Sequence, residues 1–273
     1  MTTDVQPEAA HPNLGVDLVK SFLDGTVCCL VLDRPECLNC INEAMVIQLN
    51  NALDNIEASP EVKVVVIAGE GRGFCSGADL REALERERNP GAEEASALFH
   101  GSISSLFTRI EDFPLPVIAA IDGIAVAGGL ELALCCDLVV AGNQATFADG
   151  HIRYNLIPGG GASVRLPRKI GANRASEMLM TGSTYDALTM RDWGLVNKLA
   201  ASGTAKAAAI DLANRIACGG RETIVRLKQL SRASAVLGRD VALQNEQSVC
   251  RSHHTSTERI EGLAAFSTRK QTV

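Results

Sequence analysis

Two glycine-containing turns in this 273-residue chain each follow an apolar strand pattern and lead into a helix pattern. They are Gly73-Phe74-Cys75-Ser76-Gly77-Ala78-Asp79 and Gly123-Ile124-Ala125-Val126-Ala127-Gly128-Gly129-Leu130-Glu131. Turns of this kind can aim free backbone N–H groups at a bound oxygen, and glycine lets the ligand come close. Two converging N–H groups would make an oxyanion hole for an enolate or a tetrahedral intermediate. Ordinary strand-to-helix connections would look the same, so on residues alone both readings stand. Glu131 lies in a short segment that is otherwise apolar. An isolated charge there is costly and must be paired or face a cavity, where a carboxylate can serve as a base. A carboxylate favoured by its own helix dipole is the plainer reading.

His151, in Phe147-Ala148-Asp149-Gly150-His151-Ile152, precedes a second Gly-rich loop. Residue type alone does not separate it from His100, His253 or His254. Cys37-Leu38-Asn39-Cys40 is a C-x-x-C without a second pair for zinc or the helix context of thioredoxin chemistry. No metal is expected at the paired histidines, which lack a third ligand. Pro158-Gly159-Gly160-Gly161 is no phosphate loop, because no G-K-[ST] follows. Arg165, Arg168, Lys169 and Arg174 read as a solvated basic face that could also receive phosphates.

The elements that must hold these residues follow from periodicity. Strands are expected at 26–32, 62–68, 117–121, 137–141 and 145–147. Asn42 opens a helix whose face is read as Ala44, Ile47, Leu49, Leu53 and Ile56, ending at Ser59-Pro60. Gly69 to Gly77 reads as loop, 80–88 as a charged helix, 92–110 as a longer one and 130–135 as a short one. From Ser163 onward nearly everything reads as helix, over 163–170, 172–180, 186–192, 204–218, 221–237 and 239–268. That order implies an α/β core at 15–200, a helical region at 201–273 and a flexible tail at 1–14.

Composition narrows the function. Hydrophobic residues at 46% and charged residues at 21% exclude a disordered chain. A net charge of −6 and 4% aromatics count against nucleic-acid binding. No apolar run reaches the roughly 20 residues of a membrane helix. Nine cysteines, with no secretory or transit pattern at the N-terminus, fit free thiols and a cytoplasmic protein.

Taken in order, the motifs resemble the crotonase, or enoyl-CoA hydratase/isomerase, superfamily. Arg34-Pro35 with Leu38-Asn39, Gly73 to Leu80, Ala119 to Ala133, Ile157 to Gly161, Arg165-Leu166-Pro167 and Gly262 to Phe266 carry the likeness. The resemblance implies a spiral of ββα turns with a helical C-terminal trimerisation region, and a homotrimer or homohexamer. It implies acyl-CoA thioester substrates, with coenzyme A as part of the substrate and no separate cofactor. It assigns the oxyanion donors to the N–H groups of Ala78 and Gly128. It places the CoA arm along Leu38, Ser76, Asp79 and Leu80, Tyr154 in the acyl pocket, and Phe266 and Arg269 at the adenine end. Hydratases of the family hold a water between two glutamates. The first matches Glu131; the second falls on His151. The implied reaction is hydration of 2-enoyl-CoA by a Glu131/His151 acid-base pair. Alternatives are isomerisation of an enoyl-CoA, hydrolysis or carbon–carbon cleavage with His151 as base, and silent acyl-CoA binding. The family's diketone hydrolases carry an aspartate where this chain has Gly160.

Overall fold

The computed structural model describes residues 17–269, with side chains as far as Ser267; the expected tail at 1–14 lies outside the described residues. The expected strand at 26–32 is present as Val27–Leu32, and a strand hidden from the pattern, Val19–Asp24, runs antiparallel to it. These are β2 and β1. β1 is exposed at nearly every position, so it carries no hydrophobic signal; its hydrogen bonds to β2 create it.

Asn42 caps the first helix, α1 (Glu43–Glu57), its side-chain oxygen accepting from Met45 N–H at 3.0 Å. The buried face is Met45, Val46, Leu49, Leu53 and Ile56, which corrects the sequence phase in the first turn: Ile47 is exposed. The chain then alternates between two sheets. β3 (Val64–Gly69) joins β2 in parallel, and β4 (Gly73–Cys75) crosses to a second sheet. Two helices follow, α2 (Leu80–Glu87) and α3 (Ala92–Asp112). β5 (Val117–Ile121) returns to the first sheet, β6 (Ile124–Val126) to the second, and α4 (Gly128–Cys135) completes that turn. β7 (Leu138–Gly142) and β8 (Thr146–Ala148) repeat the step. This is a spiral of ββα turns. β4 and β6 correct the readings of 69–77 and 122–127 as plain turns. Three-residue strands are too short to show a period of two, but Phe74, Cys75 and Ala125 are fully buried.

Helices α5 (Ala162–Ile170), α6 (Ala172–Thr181) and α7 (Ala187–Asp192) pack beside the spiral, with short strands β9 (Tyr185–Asp186) and β10 (Lys198–Ala200) completing the sheets. The orders are β1-β2-β3-β5-β7-β10 and β4-β6-β8-β9. Last come α8 (Ala205–Ala217), α9 (Arg221–Ser234), α10 (Arg239–His253) and α11 (Thr257–Arg269). The single helix expected at 239–268 is therefore two. Ser256 ends the run by accepting from Arg259 N–H at 3.3 Å and so opening a new helix.

Both faces of the large sheet are buried. Cys28, Leu30, Leu32, Val65, Ile67, Ala119 and Ile121 face the main core. The alternate residues Val27, Cys29, Val31, Val64, Val66, Ile118 and Val140 pack on Ala209, Ala213 and Ala217 of α8, whose small side chains let the helix approach closely. Burial pushes the Cys29 thiol up to about 11 and those of Cys75 and Cys135 to about 12, so these cysteines act as small apolar residues.

One buried ion pair ties α9 to this framework. Lys228 Nζ lies 2.6 Å from Asp137 and donates to the Leu115 carbonyl at 3.0 Å. Burial lowers its pKa, opposed by the Asp137 carboxylate. Asp137→Ala would strand a buried ammonium and is expected to cost about 3–5 kcal/mol. Urea unfolding checks this; a loss below about 1 kcal/mol would show that Asp137 is not the group that holds Lys228.

Candidate active site

Between β4 and α2 the chain makes one isolated parallel bridge, Ile41 to Ala78. Ile41 N–H donates to the Gly77 carbonyl at 2.7 Å, and Asp79 N–H donates to the Ile41 carbonyl at 2.9 Å. The bridge thus uses the groups flanking Ala78, and the N–H of Ala78 points away from it. In the second turn, Ala127 sits at φ 50°, ψ −119°, a conformation that an L residue rarely adopts. This twist starts α4 at Gly128, whose N–H is in the first helical turn and has no partner within the helix. Among the described residues, no backbone hydrogen bond takes up the N–H of Ala78 or of Gly128. The two segments touch: a Cβ at Gly128 would lie 3.1 Å from Gly77 Cα and 3.4 Å from the Ala78 nitrogen.

One turn along α4, on the face of Gly128, stands Glu131. It is buried, and its Oε1 accepts from the N–H of Ala162, the first residue of α5, at 3.0 Å. Burial raises its pKa, against the Ala162 hydrogen bond and the His151 charge. Its other oxygen, Oε2, faces His151 Nε2 at 3.9 Å. His151 opens a 3₁₀ turn, His151–Tyr154, just after β8. Its Nδ1 lies 3.1 Å from both carboxylate oxygens of buried Asp149, whose Oδ1 also accepts from the His151 N–H at 3.3 Å. Burial lowers the imidazole's pKa, but the Asp149 hydrogen bond and the charges of Asp149 and Glu131 outweigh it, so the net shift is upward.

The structure therefore brings Glu131 and His151 face to face, each held from behind. Asp149, two residues before His151, is open to reading as its orienter from the sequence, and the structure places both its oxygens on Nδ1. A signal for Ala162 was present: Pro158 to Gly161 leads into a helix whose first N–H groups need acceptors. Arg165 was read as part of a basic face. Instead it grips Glu111 at 2.6 Å and donates to the Gly160 carbonyl at 2.6 Å. Gly160 itself has no room for a side chain, since a Cβ would meet Glu131 Oε2 and the Phe107 ring at 2.7 Å. The aspartate of the diketone hydrolases would not fit here without displacing Glu131.

The residues assigned to the CoA arm gather around the first turn. Leu38 adopts a left-handed conformation, and its carbonyl accepts from Ser76 N–H at 2.9 Å. The Ser76 hydroxyl donates to the Cys37 carbonyl at 3.1 Å. Asp79 caps α2 through Arg81 N–H at 3.1 Å and Glu82 N–H at 3.4 Å, and pairs with Arg34 at 3.0 Å. Its pKa is lowered: burial raises it, but the hydrogen bonds from Cys40, Arg34 and these backbone groups outweigh that. Its oxygens are engaged within the fold, and Arg34 was not foreseen as its partner. Leu80 and Tyr154 are exposed, as is Phe266 on α11; the Arg269 side chain lies outside the described residues. Cys37, Cys40 and Asp79 form a cluster whose ligand atoms lie within 4.8 Å of one another. Among the described residues, no helix is long and apolar enough to cross a membrane.

Comparison with known proteins places the chain in a family. A family model described as enoyl-CoA hydratase/isomerase matches residues 23–273. The chain is 33% identical over 237 residues to the 2,3-dehydroadipyl-CoA hydratase of Escherichia coli (strain K12), covering 87% of this chain and 90% of that protein. It is 32% identical over 247 residues to the mitochondrial enoyl-CoA hydratase of Pongo abelii, covering 89% and 81%. The crystal structure of an enoyl-CoA hydratase from Polaromonas sp. JS666 superposes with a TM-score of 0.88 at 32% identity, covering 92% of this chain and 97% of that one. With a family match over nearly its whole length and the same mixed α/β fold, the chain belongs to the enoyl-CoA hydratase/isomerase family and is an enzyme of it.

Proposed function

We propose that the chain adds water to 2-enoyl-CoA thioesters, giving 3-hydroxyacyl-CoA. The observation that carries this reading is the 3.9 Å gap between Glu131 Oε2 and His151 Nε2, each atom fixed by a partner behind it. With Nδ1–H donated to Asp149, a neutral His151 presents the lone pair of Nε2. It then accepts a hydrogen from a water as a second carboxylate oxygen would. A water bridging the gap donates one hydrogen to each residue and turns its own lone pair to C3. The thioester oxygen accepts from Ala78 and Gly128 N–H, which stabilises the enolate as C3 is attacked. Glu131 takes the proton leaving the water, and the pair returns a proton to C2. The relatives named as hydratases support this choice of reaction.

A second reading draws on the Asp149–His151 pair alone. Such a pair could activate water against the thioester carbonyl and release a carboxylate. Reaction in ¹⁸O-labelled water separates the two. Hydration places label at C3 with the conjugated absorbance lost; hydrolysis places it in a carboxylate and frees a thiol. Label found only in the carboxylate would overturn hydration.

The pH dependence follows from the direction of the His151 shift. Its proton is held above the ordinary value of 6.5, and only the deprotonated ring can accept from water. kcat/KM is therefore expected to rise with pH through a value above 6.5. Asp149→Asn removes the two largest interactions that raise the pKa and leaves burial opposed only by the Glu131 charge, so the limb should move to lower pH. Paired pH–rate profiles check this; an unmoved limb would assign it to another group.

A further inference from the structure

The C-x-x-C turn was not absorbed by the proposed reaction, yet its two sulfurs are 3.0 Å apart. Cys37 is half-buried and ends a 3₁₀ turn, Pro35–Cys37; Cys40 is buried. The residues between them, Leu38 and Asn39, are both left-handed, at φ 57° and 55°. Asn39 is locked in place: its amide donates to the carbonyls of Glu70 at 2.9 Å and Gly73 at 2.7 Å, and its oxygen accepts from Arg34 N–H at 2.8 Å. The sulfurs are thus held together by the backbone and need little movement to bond. The Cys40 S–H faces two acceptors, Cys37 Sγ at 3.0 Å and Asp79 Oδ2 at 3.2 Å. A cation is poorly placed here, because the Arg34 guanidinium already lies 3.0 Å from Asp79 and 3.4 Å from Cys40 Sγ and would repel it.

We propose that Cys37 and Cys40 form a site of reversible oxidation by hydroperoxides, closing to a disulfide beside the substrate-binding turn. The sulfur of Cys37, the more accessible, attacks a peroxide oxygen. The O–O bond breaks, water leaves with the thiol proton, and Cys37 becomes a sulfenic acid. The Cys40 sulfur then attacks that sulfur; the S–O bond breaks and a second water carries away the Cys40 proton, for which Asp79 is the oxygen acceptor at hand. Two electrons pass from the dithiol to the peroxide. The turn is coupled to the first oxyanion segment at three points: Cys37 and Leu38 carbonyls accept from Ser76, and Ile41 pairs with Ala78. Closing the disulfide also removes the S–H that Asp79 accepts.

The test treats the full reduced chain with one equivalent of hydrogen peroxide, then alkylates it and maps the peptides by mass. The expected result is loss of two hydrogens shared by Cys37 and Cys40, reversed by dithiothreitol. It should proceed at least about tenfold faster than oxidation of the exposed, unpaired Cys218 and Cys250. In Cys40→Ser, Cys37 should instead accumulate as a sulfenic acid that dimedone traps. A pair that alkylates fully while Cys218 and Cys250 oxidise, or one equivalent of zinc bound in place of oxidation, would overturn the proposal. The coupling rests on the acyl-CoA reading of the site: oxidation should raise the KM for a 2-enoyl-CoA by about fivefold or more. A disulfide that forms with KM unmoved would overturn that coupling. An enzyme inactive on enoyl-CoA would leave the mass result standing on its own.

Discussion

Glu131→Gln is expected to lower kcat on a 2-enoyl-CoA by about 10³-fold, within the range for removing a positioned general base. Glutamine keeps the shape, and its side-chain oxygen can still accept from Ala162 N–H. What it loses is the capacity to take the water's proton. Stability should move the other way. Burial holds the Glu131 pKa above its ordinary 4.5, so the folded state disfavours the ionised form. Above that range, ionised Glu131 subtracts from stability, and at neutral pH the neutral amide removes the penalty. The variant is therefore expected to melt at or above the wild-type temperature while losing nearly all turnover. Kinetics and thermal unfolding on the same sample check both halves. A variant that loses activity and melts far lower would place Glu131 in the framework instead of the reaction.

Gly129→Ala should show the second large effect, through the proposed oxyanion donors. A Cβ at Gly129 would come within 2.0 Å of the Cys75 carbonyl oxygen and 2.7 Å of its carbon, both backbone atoms that cannot swing aside. The start of α4 must then move off β4. Gly128 lies on one side of that seam, and Ala78 follows Cys75 by three residues on the other. The two N–H groups would separate, and losing one such donor lowers kcat by about 10²–10³-fold. The forced overpacking should also cost about 1–3 kcal/mol of stability. Gly128→Ala is the graded control, because its nearest contact is a looser 3.1 Å to Gly77 Cα. Wild-type kcat in Gly129→Ala would mean that the donors are not held by this seam.

The sequence showed some elements plainly for physical reasons. β2, β3 and β5 are buried on both faces, so their residues are apolar throughout and the strands stand out. β1 has the opposite character: its VKSFLD carries no face to bury, and only its register with β2 makes it a strand. β4 and β6 hid inside glycine-rich turns because three residues set no period. The break at Ser256 was masked because Ser252-His253-His254-Thr255-Ser256-Thr257, though weak helix formers, include no Gly or Pro to mark a stop. The same division holds in the site. Glu131 drew notice as a charge among apolar neighbours, and His151 as the odd residue in a familiar order. The support of His151 was legible because Asp149 lies two residues away, whereas the pairings of Arg34 with Asp79 across 45 positions and of Glu131 with Ala162 across 31 are set only by the fold.

The alternation between two sheets also bears on how such an enzyme could change. Ala78 and Gly128 belong to successive turns of the spiral, and β3–β5 and β4–β6 pairing sets their separation. The chain between them, α2 and α3, hangs outside that pairing as an excursion of some thirty residues from Leu80 to Asp112. Its buried face, Phe99, Ile103, Leu106, Phe107 and Ile110, is tied to the main core, but changes confined to its exposed residues, Leu84 and Leu98 among them, leave the ladder at the same pitch. Variation on this outer surface can therefore accumulate while the spacing of the two N–H groups stays constant. Freedom to vary and fixity of spacing are assigned to different stretches of one chain.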